Sequence, residues 1–162
     1  MILVFGFSFC YGQQKTITLE KDGVGPIRLN KELNMPKSIA EIYDRCELEE
    51  EEGYYAYHCY LNRKLVMDVE DLIGSRNTDN IVIYDSRFRI DNKIYVGMSV
   101  SELKKIEGVY AVKHKNLSKI SYRYKDYRAI INTAKAKNGN ETVSDISYFI
   151  DEYLNNYKAI KK

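Results

Sequence analysis

A chain of 162 residues, 44% hydrophobic and 30% charged, has the composition of one soluble globular domain or two small ones sharing a core, with enough material to bury that core unaided. Its 25 Lys and Arg against 23 Asp and Glu leave a formal charge of +2, which argues against a dedicated nucleic-acid binder. Two His and three Cys give little raw material for zinc sites or a disulfide framework, and the aromatic set is fifteen Tyr, five Phe and no Trp.

Ile2 to Tyr11 is a run of ten uncharged residues. It is too short for a bilayer, which takes roughly 20 apolar residues, but it fits the apolar region of an export signal. Cys10 and Gly12 place small residues three and one before Gln13, an acceptable cleavage site. Residues 1–12 are therefore read as the remnant of a signal peptide, although no positive segment precedes the run. The competing readings are a buried first strand and a lipoprotein acylated at Cys10, the latter opposed by Phe9 where a small residue belongs. Export predicts a periplasmic or secreted protein with no membrane span, whose only mature thiols are Cys46 and Cys59. A bridge between them would close a fourteen-residue loop and contribute on the order of 3 kcal/mol; two separately packed thiols are the alternative.

Further along, similar signals occur twice in the same order. Ser38-Ile39-Ala40-Glu41 and Ser99-Val100-Ser101-Glu102 both have capping-box spacing, in which a Ser hydroxyl and a Glu carboxylate each satisfy a free N–H of a first helical turn. Each follows a short apolar strand, Ile27 to Leu29 or Ile94 to Val96, and each predicts a short helix, Ile39 to Arg45 or Val100 to Glu107. Next come two hairpins: Tyr54 to Leu61 with Lys64 to Val69 about Asn62-Arg63, and Ile120 to Tyr124 with Tyr127 to Thr133 about Lys125-Asp126. Polar loops, Gly74 to Asp79 and Lys137 to Asn140, then lead to third strands at Asn80 to Tyr84 and Asp145 to Phe149. The offsets are 61, 63 and 65 residues. They predict an α+β fold of two tandem repeats, 13–86 and 87–162 with a C-terminal tail. Each repeat would be a short helix packed on an antiparallel sheet of three or four strands.

The segment Val96 to Gly108, VGMSVSELKKIEG, resembles the helix start of beta-lactamase-inhibitor-protein-like domains, and small outer-membrane assembly lipoproteins carry a similar signature. Gly25 to Asp44 is similar to the matching segment of uncharacterised exported proteins from Bacteroides-type bacteria, with Asn30 where that pattern has Gly. The resemblance covers Gly25 to Phe149. It implies a helix-plus-sheet unit whose known members bind other proteins, and it transfers no catalytic residue.

Two-residue turns predict which residues share a sheet face. In the first hairpin Ala56, His58, Tyr60, Leu65, Met67 and Val69 form an apolar side to be covered by the helices, and Tyr55, Tyr57, Cys59, Val66 and Asp68 the other. In the second, Ile120, Tyr122, Tyr124, Tyr127, Ala129 and Ile131 oppose Lys119, Ser121, Arg123, Arg128, Ile130 and Asn132. One face is thus left open to water, acidic and aromatic in one half and basic in the other. Residues 13–86 hold nine basic and fifteen acidic side chains, residues 87–162 sixteen and eight. Such a separation orients charged partners. Tyr is an interface residue, and also an ordinary half-buried strand residue.

Glu47 to Glu52 lacks the Asp, Asn and Gly spacing of a calcium loop and reads as a solvated loop. No phosphate-binding, dinucleotide, zinc-protease or serine-hydrolase motif is present. A Cys59, His114 and Asp126 set for nucleophilic catalysis has no support from spacing, and neither has a zinc set of Cys46, His58, Cys59 and His114. The expected function is non-catalytic protein binding, inhibitor-like or envelope-accessory, without cofactor or metal. The partner is an envelope or secreted protein, contacted through Tyr55, Tyr57, Asp68, Arg123 and Arg128. The alternative is a small-molecule or glycan-binding module on the same Tyr-rich face.

Overall fold

The computed structural model describes residues 15–33, 35, 38–39 and 41–160; the segment assigned to export, Cys10 included, lies outside them. Three short strands come first, β1 (Ile17–Leu19), β2 (Gly23–Val24) and β3 (Ile27–Arg28), then four longer ones, β4 (Arg45–Glu51), β5 (Tyr54–Leu61), β6 (Lys64–Asp71) and β7 (Asn80–Ile83). After β8 (Phe88–Ile90) and helix α1 (Val100–Leu103) follow β9 (Val109–His114), β10 (Ile120–Tyr124), β11 (Ala129–Lys135) and β12 (Glu141–Phe149). Helix α2 (Asp151–Leu154) and β13 (Tyr157–Ala159) close the described chain.

The strands make two sheets, one of four strands in the order β3-β2-β1-β8 and one of nine in the order β13-β9-β10-β11-β12-β7-β6-β5-β4. The predicted third strands pair with each other, Ile81 opposite Tyr148 and Ile83 opposite Ile146, so the large sheet runs unbroken through both halves of the chain. One of its faces, carrying Met67, Val69, Ile81, Ile83, Ile131, Ile146 and Tyr148, is buried. It is covered by Leu19, Val24, Phe88 and Ile90 of the small sheet, by Leu29, Ile42 and Tyr43, and by Val100 and Leu103 of α1. The Tyr148 hydroxyl donates to the Glu20 carbonyl at 2.8 Å, tying the two layers together. The β2–β3 turn brings backbone so close that a Cβ on Gly23 would lie 2.1 Å from the Ile27 oxygen, so only glycine fits.

The expected pair of helix-on-sheet repeats is therefore overturned: the cover is mostly strand and loop, and the two described helices have four residues each. The two capping-box sequences part company for a visible reason. At the second, Ser99 Oγ accepts from the Glu102 amide at 3.3 Å and donates to Glu102 Oε2 at 2.6 Å, and α1 starts there. At the first, the Ser38 hydroxyl donates to the Tyr43 carbonyl and Glu41 sits at φ 75°, outside any helix. Buried Arg87 takes the Glu41 and Ile42 carbonyls, at 2.7 and 3.4 Å, which a helix would otherwise use internally.

The Glu-rich run read as a solvated loop is strand β4, paired along its length with β5. Glu is disfavoured in strands, but β4 is a sheet edge, where charged side chains are common and block edge-to-edge association.

Hairpin registers decide the faces. Asn62 and Arg63, at φ 51° and 66°, make the predicted two-residue turn, and Leu61 faces Lys64 as expected. Two pairs later the ladder slips: Tyr60 faces Leu65 but Cys59 faces Met67, with Val66 the extra residue. The slip exchanges the predicted sides of β5. Tyr55, Tyr57 and Cys59 share the covered side with Met67 and Val69, and Ala56 and His58 share the other with Asp68 and Glu70. In the second hairpin Tyr122 faces Ile131, two residues from the expected partner, and an even shift leaves the faces unchanged.

Candidate protein-binding face

The second face of the large sheet is polar over β4 to β7; its β4 edge is exposed, whereas Ala56, Asp68 and Asn80 are buried among their neighbours. Alternation and register place Glu47, Glu49 and Glu51 of β4, Tyr54, Ala56 and His58 of β5, and Asp68 and Glu70 of β6 on it. His58 is held from both sides, Nε2 at 2.8 Å from Glu49 Oε2 and Nδ1 at 2.8 Å from Asp68 Oδ1. The bond to Glu49 raises its pKa above the ordinary 6.5; burial opposes this, and Asp68 adds to the rise. Tyr84, just beyond β7, donates to Asp68 Oδ2 at 2.7 Å, and burial with that carboxylate pushes its phenol far up. Beside this group, Glu70 accepts from Tyr54 and Asn80, and burial raises its pKa.

The polar belt continues across the sheet. Asn132 of β11 donates to Asp145 of β12 at 2.6 Å and accepts from Ser121 of β10 at 2.9 Å, while Ser144 and Ser147 both donate to Asp145. These groups satisfy one another. Such a network fixes the shape of a surface, and His58 takes part in it as a bridge between β4 and β6.

At the basic end, half-buried Arg123 donates to the Tyr127 carbonyl at 3.3 Å, and Arg128 pairs with Asp151 of α2 at 3.1 Å. Here the C-terminal segment covers part of the face: Leu154, Phe149 and Tyr157 pack on Val112 and Ile130.

Of the residues expected to bind, Asp68, Arg123 and Arg128 thus share one face. Tyr55 and Tyr57 lie across the sheet, lining a concavity of about 240 Å³ with Glu32, Leu33, Leu48 and Arg76. His58 was placed by sequence on the apolar side; the slipped register moves it to the polar face. Glu49, Tyr84 and Glu70 were missed, because the run Glu49 to Glu52 hides any alternation and Glu is a poor strand former.

The two remaining chemical sets do not assemble. Cys46 and Cys59 stand opposite each other on β4 and β5 and form a disulfide, S–S 2.04 Å, which removes both as thiolate ligands or nucleophiles. His114 packs edge-on against Tyr157 and Asp126 pairs with Lys21, away from the sulfurs. Among the described residues no His, Cys, Asp and Glu group is arranged to hold a metal, and no helix is long and apolar enough to cross a membrane.

No family model matches this chain, and no curated protein does. Among solved structures, the uncharacterised protein YfeY from Escherichia coli shares the fold, with a TM-score of 0.57 at 14% identity over 84% of this chain and 100% of that one.

Proposed function

We propose that this chain is an exported, non-catalytic binding protein, inhibitor-like or envelope-accessory, that engages another protein through the polar face of its nine-stranded sheet. The observation that carries this reading is a hydrogen-bonded polar face with exposed carboxylates at one end and half-buried guanidinium groups, partly covered by the C-terminal segment, at the other. Six strands, β4 to β7 with β12 and β11, span ~29 Å at the usual spacing and ~20 Å along the strands. That gives ~600 Å², approaching the roughly 800 Å² that each partner contributes to a stable complex. The Cys46–Cys59 bridge supports an oxidising compartment.

The test is capture from an envelope extract with the wild type and with Arg123→Ala/Arg128→Ala. The double variant should keep its thermal midpoint within a few degrees and recover its main partner at least fivefold less, with recovery also falling as salt rises. Equal recovery by both proteins would overturn the assignment of the face.

A small-molecule reading is favoured by one other place, a groove of about 610 Å³ between Lys104, just after α1, and strands β9 and β10, lined mostly by apolar side chains. That size is within the range of ligand sites.

A further inference from the structure

We propose that the outer edge of β4 is a docking rail for an extended, lysine- or arginine-bearing segment of the partner, which adds to the nine-stranded sheet as a tenth strand. The inference rests on the protein-binding reading and names the segment that the surface takes. β4 has one neighbour, β5, over seven registers from Arg45–Tyr60 to Glu51–Tyr54. Among the described residues no backbone group of β4 bonds to anything on its other side. In an antiparallel ladder alternate residues turn both N–H and C=O outward, so the edge offers a row of unmet donors and acceptors.

The side chains specify what meets them. Glu47, Glu49 and Glu51 project on the polar face, with Arg45 against the first and His58 against the second, and Glu51 without an ion pair among the described residues. On the other face Leu48 is 52% exposed, an unusual state for a leucine in a strand, and it rims the concavity with Leu33 and Tyr57. A tenth strand would therefore place cations at alternate positions against the carboxylates and an apolar residue between them, beside Leu48. Main-chain bonds would supply affinity and the alternating side chains selectivity. A second copy of this chain is the wrong occupant: two β4 strands paired antiparallel set glutamate against glutamate, and directly opposed like charges destabilise a ladder.

The probe is a Lys-Val-Lys-Leu-Lys-Val-Lys heptapeptide, titrated into the full chain by calorimetry and by amide NMR. Binding should shift and protect the β4 amides, weaken at least tenfold with Glu49→Lys/Glu51→Lys, and weaken at least tenfold when alternate peptide nitrogens of the probe are methylated at unchanged charge. The methylated probe on wild-type protein keeps the test decisive if the double variant folds poorly. Absence of binding, equal binding of the methylated probe, or self-association of the chain through β4 would each overturn the inference. Shifts spread over Asp68, Asp145 and Arg123 instead of β4 would overturn the edge and leave the face assignment standing. Loss of partner capture in the arginine variant, with no response of β4 to the probe, would do the same.

Discussion

His58 lies between Glu49 and Asp68 at 2.8 Å from each, so the protonated ring donates one N–H to each carboxylate. A folded-state pKa above the unfolded 6.5 stabilises the native protein fully below that value, and the contribution fades as pH rises through the raised one. Stability of the wild type should therefore decline from about pH 6.5 upward, and His58→Gln should flatten that part of the profile. Imidazole NMR titration would read the pKa directly, and a value at or below 6.5 would contradict the bridge. Arg87 is a second residue whose surroundings set its importance. Its side chain is 6% exposed, with Nε 3.0 Å from Asp85 and two nitrogens on the Glu41 and Ile42 carbonyls. Burial raises the Asp85 pKa, but the Arg87 amide, Lys64 and the Arg87 guanidinium outweigh it and leave it lowered. Arg87→Met would leave Asp85 with Lys64 and a backbone amide and deprive two carbonyls of their guanidinium donors, at a cost of about 3 kcal/mol. Denaturant unfolding measures it; a loss under ~1 kcal/mol would mean the 41–42 segment is held by other contacts.

Strand β4 shows how an element can form against its own propensity. Four of its seven residues are Glu, yet seven pairs with β5 and the Cys46–Cys59 bridge hold it in the sheet. Closing a loop of this size contributes about 3 kcal/mol at most. Cys46→Ser/Cys59→Ser should lower the melting midpoint by roughly 5–10 °C in a protein of this length. An unchanged midpoint would mean the cross-link adds nothing to the ladder. The Val66 bulge is the other decisive feature of this region. An insertion of one residue in β6 turns His58 outward and Tyr57 inward, and alternating polarity in β5 did not signal it, because tyrosines occur on both sides of that strand. The second hairpin tolerated a wrong turn length because its error was even.

Across the whole molecule, two sheets enclose the main core, with a second small cluster under the C-terminal segment, and the acid-rich and base-rich halves of the chain end up at opposite ends of one face. Tyr124 and Tyr148 are buried with their hydroxyls bonded to Asp91 and to the Glu20 carbonyl, so each fills volume and satisfies its polar end. Local rules were enough to read the strand pairs at 54–69 and 120–133, the cap at Ser99 and the two-residue Asn62-Arg63 turn, because each depends on residues within a few positions of one another, and the charge separation follows from counting alone. Long-range contacts settled the rest. Whether Ser38 to Glu41 became a helix depended on Arg87, some 46 residues away, and whether the Glu run became a strand depended on a tyrosine-rich neighbour willing to pair with it. The side on which His58 emerged depended on a one-residue slip that only packing against the small sheet rewards, since shifting a strand by one exchanges its faces and the buried side must stay apolar.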